Sequence, residues 1–252
     1  MSSQPKLKIG NHPLYEVPPE PLPEHGVPFT PWAEFQTILK KNLKPGKHVA
    51  LLAPNGGGKT TLAVLAVFPH YEDLLVVDST ADPNPPLFEY GEPLNKFGRI
   101  EGHKRLTVTD LSPKSREKIF KAIQRAYNQG HTAIYIDEVR QVSEKKYFGL
   151  EAQLKYLWLF GRKRGVTVIG SSQAPRFLPS EFYDQSKAHF LFKIRDRRAM
   201  KRIAEISGDV DTLEKVLPTL DHEAYEFAFV DLGGDIHRSI MEVPDSAGLK
   251  AT

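Results

Sequence analysis

The sequence predicts an α/β protein with a mostly parallel central sheet covered by helices on both faces. Short apolar runs, each suited to a buried strand, lie at 49–53, 74–77, 133–136 and 166–170. Helical patterns separate these runs, and strands that alternate with helices along a chain form parallel sheets. Two further apolar runs, 225–231 and 235–241, flank Gly233-Gly234 and predict a C-terminal β-hairpin.

The composition bounds the functional classes. The 252 residues can bury one substantial core, and 40% of them are hydrophobic and 26% charged, as in an ordinary globular protein. Cysteine is absent, which excludes disulfides, a thiolate zinc site and a catalytic thiol. The net charge of +3, from 34 basic and 31 acidic residues, is too balanced to predict a nucleic-acid partner by itself.

The turn after the strand at 49–53 has the chemistry of a phosphate-binding loop. Three glycines let the backbone curl so that successive N–H groups face phosphate oxygens, and a helix at 62–68 adds its N-terminal dipole. Lys59 would reach the β- and γ-phosphates, and the Thr60 hydroxyl would complete a Mg²⁺ shell. The usual pattern opens with a glycine where this chain has Ala53. The candidate nucleotide-binding residues are Pro54, Asn55, Gly56, Gly57, Gly58, Lys59, Thr60 and Thr61.

A pair of carboxylates supplies the second half of a hydrolytic site. The strand at 133–136 ends in Asp137 and Glu138. Asp137 at the strand tip would hold Mg²⁺ together with Thr60, and Glu138 would orient or deprotonate the attacking water. A phosphotransfer kinase needs no such glutamate, so Glu138 favours an ATPase over a kinase.

The remaining chain predicts further elements. Repeated prolines from Pro5 to Pro31 predict an extended tail or strap, with a docking arm for another protein as the alternative. Thr30-Pro31 would begin a helix that carries Trp32, Phe35, Ile38 and Leu39 on one face. The other predictions are an irregular segment at 82–98, strands at 105–109 and 189–194, and helices at 113–129, 144–163 and 196–207. The aromatic residues of 144–163 are interpreted as core, with a base-stacking platform as the alternative.

With these elements in order, the chain resembles the additional-strand class of P-loop ATPases, which includes RecA-like motors, and within it the FtsK/HerA superfamily. The resemblance rests on 53–61, on 134–138 and on the run from Gly161 to Pro175. It implies that Gln173 senses the γ-phosphate. The compact size is similar to that of genome-packaging ATPases of tailless, membrane-containing icosahedral viruses. Where that family often has Asp-Pro-Lys or Asp-Pro-His, this chain reads Asp78-Ser79-Thr80.

That resemblance implies an ATP- and Mg²⁺-dependent DNA translocase that packages a viral genome. It implies double-stranded DNA as partner, a homo-oligomeric ring of five or six, and contacts with capsid or portal-vertex proteins. Without a signal peptide or an apolar run of ~18 residues, we expect no membrane insertion and a location in the host cytoplasm or the virion. The expected domains are a proline-rich extension with one helix (1–45), the ATPase domain (46–242) and a tail (243–252).

Several alternatives stay open at this stage. Arg162, with Arg164, would be a finger that reaches a neighbouring subunit's γ-phosphate, or both would cap helix carbonyls. The basic residues of 195–202 would form a solvated face, a subunit interface or a DNA contact. A small-molecule kinase and a non-pumping phage assembly ATPase are the competing functions. No Leu-Ser-Gly-Gly-Gln signature of an ABC transporter is present, and the chain is too short for a second helicase motor core.

Overall fold

The computed structural model describes residues 26–79, 90–194, 196–207 and 209–243, without the side chains of 204–207. The proline-rich segment before residue 26, most of the tail, part of the irregular segment at 82–98 and Arg195 therefore lie outside the described residues. The strands are β1 (His48–Leu52), β2 (Leu74–Asp78), β3 (Glu92–Pro93), β4 (His103–Thr107), β5 (Ala133–Ile136), β6 (Thr167–Ser172), β7 (Ser186–Phe192), β8 (Glu226–Val230) and β9 (Ile236–Ile240).

The helices are α1 (Trp32–Asn42), α2 (Lys59–Leu62), α3 (Pro113–Gln129), α4 (Val139–Ser143), α5 (Glu151–Phe160), α6 (Ser180–Gln185), α7 (Arg197–Ser207) and α8 (Val210–Thr219). A π turn (Ala63–Val67) and a 3₁₀ turn (Phe68–His70) extend α2, so the predicted helix at 62–68 is longer at both ends. Helices α6 and α8 were not predicted from the sequence.

The strands of the described residues form one nine-stranded sheet in the order β3-β4-β2-β5-β6-β1-β7-β8-β9. All pairs from β3 to β7 are parallel, whereas β8 and β9 form the antiparallel hairpin expected around Gly233-Gly234. Strand β6 lies between β1 and β5, which is the added strand of the class that the sequence resembles. The predicted fold class is therefore confirmed.

Helices cover both faces of this sheet because its central strands are apolar on both sides. In β1, Ala50 and Leu52 belong to one buried cluster, which also contains residues of α3 and α5. Val49 and Leu51 belong to a second cluster on the other face, which contains residues of α1 and α2. Every residue of β1, β2 and β5 is buried. Strands buried on both faces appear in a sequence as continuous apolar runs, and these were the runs that the sequence analysis identified.

The single helix predicted for 144–163 is wrong. Helix α4 ends at Ser143, before that range begins, and 144–150 form a loop that includes Gly149 at φ +62°. Helix α5 covers only Glu151–Phe160, and a 3₁₀ turn follows it at Gly161–Arg164. The backbone N–H groups of Phe148 and Leu150 donate to the carbonyls of Gln141 and Val142, so they are not available to continue a helix. Burial and backbone pairing thus overrode an apolar pattern with helical spacing.

The aromatic residues of that segment are only partly core. Leu154, Leu157 and Trp158 are buried as predicted, but Phe160 is 39% exposed and Tyr147 lies outside α5. The predicted strand at 105–109 lies two residues earlier as β4, and that at 189–194 is β7, which starts at Ser186. Pro31, rather than Thr30, is the N-cap of α1, and its carbonyl accepts the Phe35 N–H at 2.9 Å. The Thr30 N–H donates instead to the carbonyl of Arg238 in β9.

Candidate nucleotide-binding and hydrolysis site

The three predicted motifs meet at the carboxyl edge of the sheet. The glycine loop follows β1, Asp137 and Glu138 follow β5, and Gln173 follows β6. Because β6 pairs with both β1 and β5 in parallel, the three strand ends are neighbours. Ligands of open α/β sheets bind outside the carboxyl ends of the strands.

The glycine loop has a backbone that few other residues would adopt. Gly56 has φ +71° and Gly58 φ +83°, both in the left-handed region. Gly57 N–H donates to the Pro54 carbonyl at 3.2 Å, and Gly56 N–H donates to Asn55 Oδ1 at 3.1 Å. The helix that starts at Lys59 adds free N–H donors, so this loop can cradle an anion.

Lys59 points into the loop that it follows. Its Nζ donates to the carbonyls of Ala53 and Pro54, each at 3.0 Å, and the residue is only 7% exposed. Burial lowers the pKa of Lys59 to about 8, against the opposing effect of Glu138 and Asp137. The ammonium therefore stays protonated at neutral pH, and the two carbonyls hold it beside the space that the loop encloses.

Asp137 connects the glycine loop to β5. Its Oδ1 accepts hydrogen bonds from the Thr60 hydroxyl at 3.3 Å and the Tyr135 hydroxyl at 2.7 Å. Burial raises the pKa of Tyr135 well above its usual value, so the phenol remains a donor. Tyr135 was not predicted as a site residue, because its place in an apolar strand gives no signal for a polar role.

These groups fit Mg²⁺. The described residues contain no group of three His, Cys, Asp or Glu side chains that could enclose a metal. Mg²⁺ does not require one, because it usually takes one or two carboxylates, retained waters and substrate phosphate oxygens. Asp137 and the Thr60 hydroxyl are the residues that would hold it.

Glu138 is fixed by three donors. Its Oε1 accepts from the Ser172 hydroxyl at 2.7 Å and Arg140 N–H at 3.2 Å, and its Oε2 accepts from Gln173 N–H at 3.1 Å. Burial raises the pKa of Glu138, although all three hydrogen bonds act in the opposite direction. The carboxylate thus has a defined orientation and an increased affinity for a proton, which suits a general base.

Gln173, which the resemblance implies as a γ-phosphate sensor, lies at the carboxyl edge of the sheet. It follows the last residue of β6, its side chain is exposed, and its backbone is bonded to Glu138. No role was predicted for Ser172, the last residue of β6. Its hydroxyl makes the shortest of the three hydrogen bonds to Glu138.

The two arginines near residue 163 lie at the opposite edge of the sheet. Arg164 donates from Nε to the Tyr127 carbonyl and from Nη2 to the Asn128 carbonyl, so it caps the end of α3 rather than the helix that precedes it in the chain. Arg162 is exposed and precedes β6, whereas Gln173 follows it. The six residues of β6 span about 20 Å, so Arg162 cannot act on the site of its own chain.

The C-terminal hairpin also contacts the glycine loop. A Cβ at Gly58 would lie 2.8 Å from Cδ1 of Tyr225 and 3.3 Å from Cε of Met241. Tyr225 itself has φ +53°, an unusual backbone for an aromatic residue. Neither residue was predicted to lie at the site, because a contact between segments far apart in the sequence has no local signal.

Solved structures share this architecture. The genome packaging NTPase B204 from Sulfolobus turreted icosahedral virus 2, in complex with AMPPCP, has a TM-score of 0.62 at 19% identity, over 79% of this chain and 100% of that chain. The DNA-packaging ATPase B204 from Sulfolobus turreted icosahedral virus matches with a TM-score of 0.62 at 18% identity, with the same coverage.

The protein has the fold of these viral packaging NTPases. At this identity the likeness shows the shared fold, which agrees with the P-loop architecture that the motifs predicted. The pCW3 conjugation coupling protein TcpA, in its monomer form with ATPgS, matches with a TM-score of 0.50 at 14% identity, over 78% of this chain and 60% of that chain.

No protein-family model and no curated protein sequence matches the chain. Within the described residues, none of the helices has the length and apolar character needed to cross a bilayer.

Proposed function

We propose that the protein is a Mg²⁺-dependent ATPase. The observation that carries this proposal is the Glu138 carboxylate, held by three donors beside a glycine loop that contains a buried lysine. A fixed carboxylate next to the γ-phosphate position has a use in hydrolysis, where it accepts a proton from water. A kinase has no attacking water to activate, so this arrangement favours hydrolysis over transfer to another substrate.

Each residue has a role that follows from its contacts. The Gly58 N–H would bind phosphate oxygens, and the N–H groups of Gly56 and Gly57 would exchange Asn55 Oδ1 and the Pro54 carbonyl for phosphate oxygens. Pro54, Asn55 and Thr61 complete the loop. Lys59 exchanges its two carbonyl partners for phosphate oxygens. Bound Mg²⁺ neutralises charge on the phosphates. Asp137 and Thr60 hold its position, and Tyr135 orients Asp137.

Proton transfer then falls to Glu138. Its oriented Oε atoms take a proton from the attacking water, and burial makes that acceptance easier because it raises the pKa. Gln173 directly follows Ser172, the last residue of β6, and its N–H donates to Glu138. Loss of the γ-phosphate would therefore shift Gln173 and, through this hydrogen bond, the Glu138 carboxylate.

Its cellular role is proposed to be DNA translocation. Two structures with this fold are described as packaging enzymes of icosahedral viruses, and a third as a conjugation coupling protein. We propose double-stranded DNA as the substrate that moves and a ring of five or six copies as the active form. We further propose genome packaging with capsid or portal-vertex proteins as partners, in the host cytoplasm or at the virion.

The deciding experiment measures the rate of phosphate release with and without duplex DNA, together with the oligomer mass. We expect release that requires Mg²⁺ and rises when DNA is added. Phosphate transferred to an acceptor would indicate a kinase, and hydrolysis indifferent to DNA would indicate a non-pumping assembly factor.

A further inference from the structure

A basic surface lies next to the candidate site at the same edge of the sheet. It consists of Arg176, Phe177, Arg197, Arg198 and Lys201. The first two belong to the turn after Gln173, and the other three to the first half of α7. All five are exposed, with 50% of the Arg176 side chain and 44% of Phe177 open to solvent.

The turn and the helix are held together by specific contacts. Asp196, just before α7, pairs with Arg176 at 3.8 Å and accepts from Arg198 N–H at 2.9 Å. Arg202 Nη2 donates to the Leu178 carbonyl at 3.3 Å. Because Arg198 and Arg202 are four residues apart on the same helix, Arg198 lies on the side of α7 that borders the turn.

The surface carries positive charge that is not neutralised nearby. Among the described side chains, Arg197, Arg198 and Lys201 form no ion pair, and Asp196 is the acidic residue at the junction. The side chain of Glu205, one turn beyond Lys201, lies outside the described residues. Four cations from two adjacent elements therefore face solvent around one carboxylate.

The ring of Phe177 contacts two arginine side chains. The guanidinium carbons of Arg140 and Arg176 lie 4.2 and 4.5 Å from the centre of its ring. With two guanidinium groups over the ring, a nucleic-acid base has little room to stack there. The ring instead positions Arg176 through cation–π contact, which favours recognition of a charged backbone over recognition of bases.

The same segment is bonded to the catalytic candidate. The backbone N–H groups of Gln173 and Arg140 both donate to Glu138. Arg176 follows Gln173 by three residues in the chain, and the side chain of Arg140 lies over the ring of Phe177. A ligand that displaces Arg176 or Phe177 would therefore alter the positions of two of the three donors that orient Glu138.

We propose that this basic surface binds the phosphodiester backbone of DNA and transmits its presence to Glu138. This inference rests on the proposed function, since it locates the contact through which DNA would stimulate hydrolysis. Clustered arginine and lysine on one face is the electrostatic footprint expected for phosphates, and each contact releases condensed counterions.

The test compares two triple variants of the full-length protein. Arg197→Gln/Arg198→Gln/Lys201→Gln removes three cations from the surface. Lys40→Gln/Lys41→Gln/Lys44→Gln removes three exposed lysines at and just after the end of α1, so it gives the same change in net charge. Binding of a labelled 30-base-pair duplex, and of the single strand, is measured between 50 and 200 mM salt, with phosphate release measured alongside.

We expect the surface variant to lose affinity for duplex DNA. The plot of the logarithm of the association constant against the logarithm of the salt concentration should become shallower by about 2.7, because each of the three lost phosphate contacts contributes ~0.9 to the slope. The variant's hydrolysis without DNA stays at the wild-type rate, but stimulation by DNA is lost. The α1 variant keeps affinity, slope and stimulation. Tighter binding of the single strand than of the duplex would contradict backbone recognition of duplex.

Other results would overturn the inference. Wild-type slope and affinity in the surface variant would place the DNA contact elsewhere while leaving the proposed function intact. A variant that loses its oligomer mass together with DNA binding would assign the surface to a second copy of the chain. Failure of the wild-type protein to bind DNA would instead refute the proposed translocase.

Discussion

The Cβ of Ala53 lies 2.8 Å from the position that a Cβ at Gly57 would occupy. The loop therefore tolerates alanine at its first position, where the usual pattern has glycine, because position 57 has no side chain. The Pro54 carbonyl lies 3.1 Å from the same position and limits it further.

Gly57→Ala should therefore destabilise the loop, while Ala53→Gly added to it should restore part of the loss. Forced overpacking typically costs about 1–3 kcal/mol. Melting temperature and nucleotide affinity of the single and double variants provide the measurement. If the single and double variants have the same melting temperature and nucleotide affinity, the side chains at positions 53 and 57 do not compete for space.

Glu138→Gln should bind ATP and Mg²⁺ but hydrolyse ATP about 10²- to 10⁴-fold more slowly, because the amide cannot accept the proton. An amide nitrogen in the place of Oε2 would also face Gln173 N–H and lose that bond. Single-turnover hydrolysis and nucleotide titration separate the two effects. Wild-type turnover would remove Glu138 from the reaction.

Ser172→Ala should shift the pH dependence of hydrolysis. The Ser172 hydroxyl stabilises the Glu138 carboxylate and so lowers its pKa, against the larger effect of burial, which raises it. Loss of this hydrogen bond raises the pKa further, so the acid limb of kcat/KM should move to higher pH. Ser171→Ala, on the other side of the strand, should leave that limb in place.

Asp137→Asn should raise the Mg²⁺ concentration needed for half-maximal activity, since one charged ligand is lost. Tyr135→Phe should do the same more weakly, because it removes the 2.7 Å hydrogen bond that orients Asp137. Loss of such a supporting bond typically lowers metal affinity about 10- to 100-fold. A magnesium titration of each variant checks this order, and an unchanged Tyr135→Phe curve would contradict it.

Mixed oligomers should test whether Arg162 acts on a neighbouring site. Its place at the opposite edge of the sheet leaves a role only in trans, where an arginine can contribute about 10³- to 10⁵-fold to the rate. Arg162→Ala and Lys59→Ala should each be inactive alone, and mixing them should restore some hydrolysis at interfaces that pair an intact loop with an intact arginine. No recovery at any ratio, with full activity of a monomer, would exclude both the finger and the ring.

The central strands and their polar ends could be predicted because their signals are local. Strands β1, β2 and β5 are buried on both faces, so they appear as continuous apolar runs, and Asp137 and Glu138 interrupt such a run directly. The loop at 54–61 is defined by consecutive residues whose backbone and charge requirements are independent of the rest of the chain. These features place a phosphate-binding loop and two carboxylates at one edge of a parallel sheet.

Long-range packing decided what the sequence could not specify. The N–H groups of Phe148 and Leu150 donate to carbonyls of α4, so 144–150 form a loop and the helix predicted for 144–163 begins only at Glu151. Tyr135 and Ser172 gain their roles only when β5 and β6 pair and bring Asp137 and Glu138 within their reach. The sequence by itself determined which chemical groups are present and at which strand end they lie. The tertiary structure decided which donor meets each carboxylate, since hydrogen bonds between distant segments depend on strand pairing that has no local signal.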